Sequence, residues 1–190
     1  MDAQGQQGPS SQLEQTRPSA WVARFAELVP AGGEVLDLAA GGGRHSRLFL
    51  MRGHPVLAVD RDLTALAGLE EDRLTCLTAD LEAGAWPFDG RRFAGVVVTN
   101  YLHRPLLPLL VEAVTEGGAL IYETFAVGNE AFGRPRNPDF LLRSGELLDA
   151  VRGRLEVAAY EQGEVVEPRR AVIQRIAAVR HRRPRPLPEN

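Results

Sequence analysis

Between Glu34 and Ser46 the chain reads EVLDLAAGGGRHS, and this stretch constrains the fold more than any other. An apolar, β-prone start carries Asp37, small residues from Ala39 to Gly43 make a turn, and Arg44 to Arg52 has a helical pattern that Gly53 can terminate. The order is strand, glycine loop, helix. Such a unit lets backbone approach a ligand closely at the glycines, while unpaired N–H groups and the partial positive charge of the helix start face a carboxylate or phosphate.

At 190 residues and 44% hydrophobic content the chain suits one domain with a sizeable core. The formal net charge of -3 argues against general electrostatic attraction to nucleic acid, although it does not exclude a local basic patch. A single cysteine, Cys76, excludes an intrachain disulfide and a cysteine-rich metal site. No apolar run approaches the roughly 18 residues that span a bilayer, and the N-terminus lacks the basic-then-apolar order of a signal peptide, so a cytoplasmic protein is expected. Residues 1–18 are rich in Gln, Gly, Ser and Pro and read as a disordered tail; residues 182–190, basic and proline-rich, read the same way. The expected domain is 19–181. Arg182, Arg183 and Arg185 are placed to touch an anionic partner or simply to form a solvated end.

Strand and helix alternate through that domain. Ser19 is an N-cap candidate, and Trp21, Val22, Phe25, Leu28 and Val29 recur at helical spacing. Strands are expected over 55–60, 74–80, 93–99 and 119–125, with helices over 63–69 and 106–114. Three of the first four strands end in acids, at Asp37, Asp60 and Asp80, which places carboxylates along the carboxyl edge where open α/β sheets bind ligands. Asp60, about 20 residues past the glycine loop, suits a ribose contact, with a helix N-cap as the structural alternative. Residues 126–139 form a long loop, either functional or partly disordered, and Ser144 can cap a helix through Ala150. The β-prone runs 155–160 and 171–179 are joined by a gap too short for a crossover helix, so they should be antiparallel. The fold class expected is α/β: a Rossmann-like, seven-stranded, mostly parallel sheet closed by an antiparallel C-terminal hairpin, with helices on both faces.

The glycine spacing does not fit a dinucleotide fingerprint, because the third glycine position falls on Ser46 or on Arg44. It resembles motif I of the class I S-adenosylmethionine-dependent methyltransferases, acidic-x-Gly-x-Gly-x-Gly, matched at Asp37, Gly41 and Gly43 with Ala39 at the first glycine. That alanine is a mild change only if its φ is negative. More loosely, Gly-Gly-Arg-His-Ser, the Asn100 to Pro105 segment and Tyr122 to Phe125 are similar to bacterial small methyltransferases near the tellurite-resistance type.

The resemblance implies S-adenosylmethionine as cofactor, bound by Asp37, Ala39, Gly41 and Gly43, by Asp60 on the ribose, by Arg61, Asp80 and Leu81 around the adenine, and by Asn100. It places Asn100, Tyr101 and His103 beside the transferring methyl, with His103 first and Tyr101 next as general base where the acceptor must lose a proton. Asn-Tyr-Leu-His differs from the Asn/Asp-Pro-Pro-aromatic run of aminomethyltransferases acting on nucleic-acid bases or protein glutamine, which argues against that subclass, though nucleic-acid methyltransferases of other subclasses lack the run too; a small-molecule acceptor is expected, with nucleic acid not excluded. Trp21 either packs on the sheet or helps cover the cofactor. A binding protein that keeps the fold without turnover stays open as the alternative.

Overall fold

The computed structural model describes residues 17–67, 69 and 71–181; the expected tails 1–18 and 182–190 lie outside these residues except for Arg17 and Pro18. Seven strands form one sheet: β1 Val35–Leu38, β2 Val56–Asp60, β3 Leu74–Thr78, β4 Phe93–Thr99, β5 Val114–Phe125, β6 Glu156–Val165 and β7 Ala171–Val179. Their order is β3-β2-β1-β4-β5-β7-β6. Pairings from β3 to β5 are parallel, and β7 runs antiparallel to both β5 and β6. The helices are α1 Ala20–Phe25, α2 Arg44–Met51, α3 Leu107–Glu112 and α4 Glu146–Val151. No helix among the described residues is long and apolar enough to cross a membrane.

Alternation along the central strands sends side chains to two cores. Leu36, Val96, Val98, Leu120 and Tyr122 pack with Leu110, Val111, Leu147 and Val151 of α3 and α4. Val35, Val97 and Ile121 pack with Trp21, Val22, Phe49 and Leu50 of α1 and α2 on the opposite face. Trp21 is therefore core: 2% exposed, with its indole N–H donated to the Ile176 carbonyl at 3.2 Å. Ser19 caps α1 as expected, accepting the Trp21 N–H at 3.1 Å.

Several element boundaries differ from the sequence expectation, and β3, expected to run to Asp80, ends at Thr78. In place of the helix expected over 63–69, the described residues make a 3-10 turn over Thr64–Leu66, because Asp62 takes both the N–H and the hydroxyl of Thr64 and the following described N–H groups bond three residues back. The helix expected to Val114 stops at Glu112, since Val114 already pairs with Phe93 and β5 runs through the Gly117-Gly118 pair. Strand β6 continues to Val165, its polar half held by β7 through pairs such as Glu161 with Arg175, whose side chains are also ion-paired at 2.5 Å. Ser144 does not cap α4; Gly145 in the left-handed region precedes the helix, and the Ser144 hydroxyl faces Gln162 instead.

Candidate functional site

The chain leaves β1 through backbone that enters the left-handed region at Ala39, Gly41 and Gly43, with φ of 56°, 50° and 69°. The condition under which alanine is a mild change at this position, a negative φ, is not met: an L-residue there costs about 1 kcal/mol, and the Ala40 N–H bond to the Val59 carbonyl at 3.0 Å helps hold the turn. The glycines divide their work. A Cβ on Gly43 would lie 2.1 Å from the Leu66 side chain, so packing and helix entry require this glycine. Cβ atoms on Gly41 or Gly42 would meet nothing within 4 Å, because both face open space.

Asp37 is 2% exposed and does not line that space. Its carboxylate accepts the Ser46 hydroxyl at 2.6 Å and the Ser46 N–H, capping the first turn of α2 from beneath. Burial pushes its pKa up to about 6 against the lowering effect of those hydrogen bonds.

The space is a cleft of about 490 Å³ along the carboxyl ends of β1, β2 and β4 and the segment after β3. Ala39, Gly41 and Arg44 line it after β1, Asp60 and Arg61 at the end of β2, Asp80, Leu81 and Glu82 after β3, and Asn100 and Tyr101 after β4. Asp60 accepts the Gly41 N–H on Oδ2 at 2.9 Å and the Asp62 N–H on Oδ1 at 3.1 Å. Two backbone donors thus orient the carboxylate, and each oxygen retains a second lone pair for a ligand. Asp60 caps no helix. Asp80 accepts the Glu82 and Ala83 N–H groups at 2.9 and 3.1 Å, bonds that hold its pKa below the usual carboxylate range. Asn100 sits at φ 55° and donates its N–H to the Glu123 carbonyl at 2.9 Å. Arg44, its pKa lowered chiefly by burial, is the cation that lines the cleft beside the glycine loop.

A second, smaller chamber of about 170 Å³ adjoins the cleft and shares Glu82, Asn100 and Tyr101 with it. Leu102, Thr124, Phe125, Pro135 and Phe140 complete its wall. The loop expected over 126–139 is built, with 3-10 turns at Asn129–Ala131 and Pro138–Phe140. The Asn129 amide donates to the Pro135 carbonyl and accepts the Val172 N–H. Arg104 fastens the other end: its guanidinium donates to Glu146 at 2.7 and 3.0 Å and to the Asp139 and Leu141 carbonyls at 2.7 Å each. Tyr101 has a buried hydroxyl without a hydrogen-bond partner, and burial pushes its pKa up to about 12, so it stays protonated at neutral pH. His103 lines neither space.

Glu82, Arg44 and Thr124 carry no signal in the sequence that would place them at the site. Nor does His45. It is 2% exposed, and burial pushes its pKa down to about 3, so the ring is neutral. Its Nε2 accepts the Ser19 N–H at 3.1 Å, which leaves the hydrogen on Nδ1, facing Thr99 Oγ1 at 3.4 Å. The Ser19 hydroxyl in turn donates to Glu123 of β5 at 2.7 Å, so Ser19 ties the segment before α1 to that strand and, through His45, to the helix that follows the glycine loop.

Compared as a sequence, the chain matches no protein-family model and no curated protein. Compared as a structure, it is similar to many solved proteins. TehB from Haemophilus influenzae superposes with a TM-score of 0.69 at 19% identity, over 90% of this chain and 65% of that one. A TehB-like S-adenosylmethionine-dependent methyltransferase from Corynebacterium glutamicum gives 0.62 at 17% identity, over 90% of this chain and 93% of the other. The Burkholderia thailandensis 1,6-didemethyltoxoflavin-N1-methyltransferase, solved with its acceptor and S-adenosylhomocysteine, gives 0.65 at 17% identity, over 90% and 82%. The fold is that of the class I S-adenosylmethionine-dependent methyltransferases, as the closing hairpin implied. This chain spans about two thirds of the Haemophilus TehB chain, and at these identities the likeness is one of fold.

Proposed function

We propose that the protein binds S-adenosylmethionine in the larger cleft and transfers its methyl group to a small-molecule acceptor. The observation that carries this reading is the pairing of Asp60 with Gly41, which joins the acid after β2 to a glycine loop whose side-chain space is empty. The residues fit the cofactor. Asp60 keeps lone pairs for two ribose hydroxyls, Asp80 and buried Leu81 offer a polar and an apolar surface for adenine, and Gly41 and Gly42 leave room for backbone approach at the methionine end near Arg44. When bound, the cofactor supplies a methyl group already activated by a sulfonium. The protein's contribution is position: Asn100 and Tyr101 stand where cleft and chamber meet, and an acceptor held there about 3 to 3.5 Å from the methyl gains most of its rate from alignment.

Of the acceptor-side residues, Tyr101 forms wall where the two spaces meet and His103 lines neither. Two structural neighbours are named as N-methyltransferases, of 1,6-didemethyltoxoflavin and of a glycopeptide, which suits a small or peripheral acceptor here. Titration calorimetry with S-adenosylmethionine, S-adenosylhomocysteine and NAD tests the reading. The first two should bind and NAD should not, and Asp60→Ala should weaken binding by roughly 10- to 100-fold through loss of one or two charge-assisted hydrogen bonds. An unchanged dissociation constant removes Asp60 from the site. Binding without any acceptor-dependent product favours a binding protein instead.

A further inference from the structure

The chamber beside the cleft has a wall whose chemistry restricts what it can hold. Its volume of about 170 Å³ is below the roughly 300 Å³ at which drug-sized pockets begin, so it suits one ring rather than a fused system. Phe125, Phe140, Pro135 and Leu102 supply flat and apolar surface. Thr124 is 1% exposed, and beside it the buried Tyr101 hydroxyl has no hydrogen-bond partner among the described residues, so a buried donor and acceptor in the wall is left for a ligand. Glu82, on the seam with the cleft, is the wall's one ionisable acid. No cation lines the chamber. Arg104 is committed to Glu146 and two carbonyls, and Arg169 lies over the Phe125 ring at 5.1 Å without lining the space.

We propose, resting on the methyltransferase reading, that the acceptor is an uncharged, single-ring, N–H-bearing heteroaromatic of the azole type. An anion would meet Glu82 with no cation in the wall to offset it. An alcohol needs a base strong enough to ionise it, and the wall holds none: His103 is outside, and Tyr101 is a protonated phenol. An azole needs no prior ionisation. The lone pair of its bare ring nitrogen forms the new bond to the methyl carbon as the carbon–sulfur bond breaks and leaves its electron pair on sulfur. The ring N–H then passes its proton to the Glu82 carboxylate and on to solvent, so a neutral N-methyl product leaves.

The test pairs pyrazole and imidazole at pH 8 with pyrazole-4-carboxylate and selenite, read by S-adenosylhomocysteine release and by ligand-detected NMR on the S-adenosylhomocysteine-loaded protein. The neutral rings should bind and turn over, with pyrazole-4-carboxylate at least 10-fold poorer and selenite inert. Phe140→Ala, at a side chain already 44% exposed and so without risk to the fold, should weaken pyrazole binding by at least 10-fold and leave S-adenosylhomocysteine affinity unchanged. Preference for either anion overturns the proposal, as does failure of both neutral rings to bind at millimolar concentration. If S-adenosylhomocysteine itself does not bind, the methyltransferase reading falls separately, and pyrazole NMR on the free protein still decides the chamber.

Discussion

Two strand-end aspartates of the same sequence pattern end in different roles. Asp60 stands at the surface of the cleft with both oxygens oriented by backbone donors, whereas Asp37 lies under the glycine loop and caps α2 through Ser46. Burial of Asp37 makes stability depend on pH. Its folded pKa of about 6 exceeds the unfolded 3.8, so the protonated carboxyl favours the folded state. That contribution is full below about pH 4 and is lost as pH rises through 6. Asp37→Asn keeps a neutral acceptor for Ser46 and cannot titrate. Urea unfolding at pH 4 and pH 7 should therefore show the variant gaining on the wild type by roughly 2 to 3 kcal/mol at the higher pH. A difference that does not move with pH would mean that Asp37 is solvated.

Among the elements, the loop between β5 and α4 depends on a residue outside it. Arg104, just after β4, bridges to Glu146 on α4 and to the carbonyls on either side of the Phe140 turn; the two charged side chains are 26% and 15% exposed. Removing the guanidinium leaves a half-buried carboxylate and two carbonyls without their donor. Arg104→Ala should cost about 2 to 4 kcal/mol, or roughly 5 to 10 °C in Tm. Arg104→Lys should recover only part of this, because one ammonium cannot serve a bidentate carboxylate and two carbonyls together. Affinity for S-adenosylhomocysteine should hold in both variants, since Arg104 does not line the cleft. Melting curves and calorimetry on the same preparations check both statements; equal loss in both variants would mean that the guanidinium geometry alone matters, and full recovery by lysine that charge alone does.

For the whole molecule, the two cores on either face of the sheet are built from residues between Trp21 and Val179. Deleting Met1 to Gln15 and Pro184 to Asn190 should leave Tm and cofactor affinity nearly unchanged. The cut stops short of Arg17, whose carbonyl accepts from Arg44, and of Ser19, which bonds His45 and Glu123. A drop of several degrees, or a tenfold loss of affinity, would show that a tail packs on the domain.

The sequence by itself determined the α/β class, the closing hairpin and the strand-end positions of the acids, because these rest on local signals: alternation, glycine turns and the length of a connection. Boundaries failed where a partner from far along the chain overrode local preference. Composition ends β6 near Tyr160, but β7 offers unpaired backbone and Arg175 meets Glu161, so the strand continues to Val165. A similar limit applies to the site. Eight of the eleven residues expected there line the cleft; Asp37, buried beneath the loop, Gly43, packed against Leu66, and His103 do not, since position in a motif does not say what the packed chain leaves exposed. Only the tertiary structure decided that Glu82 and Thr124 share a chamber with Phe140 and that Arg104 holds its wall. These residues come from separate segments, and contacts across such distances are set by how the whole chain packs, not by anything in their immediate neighbourhood.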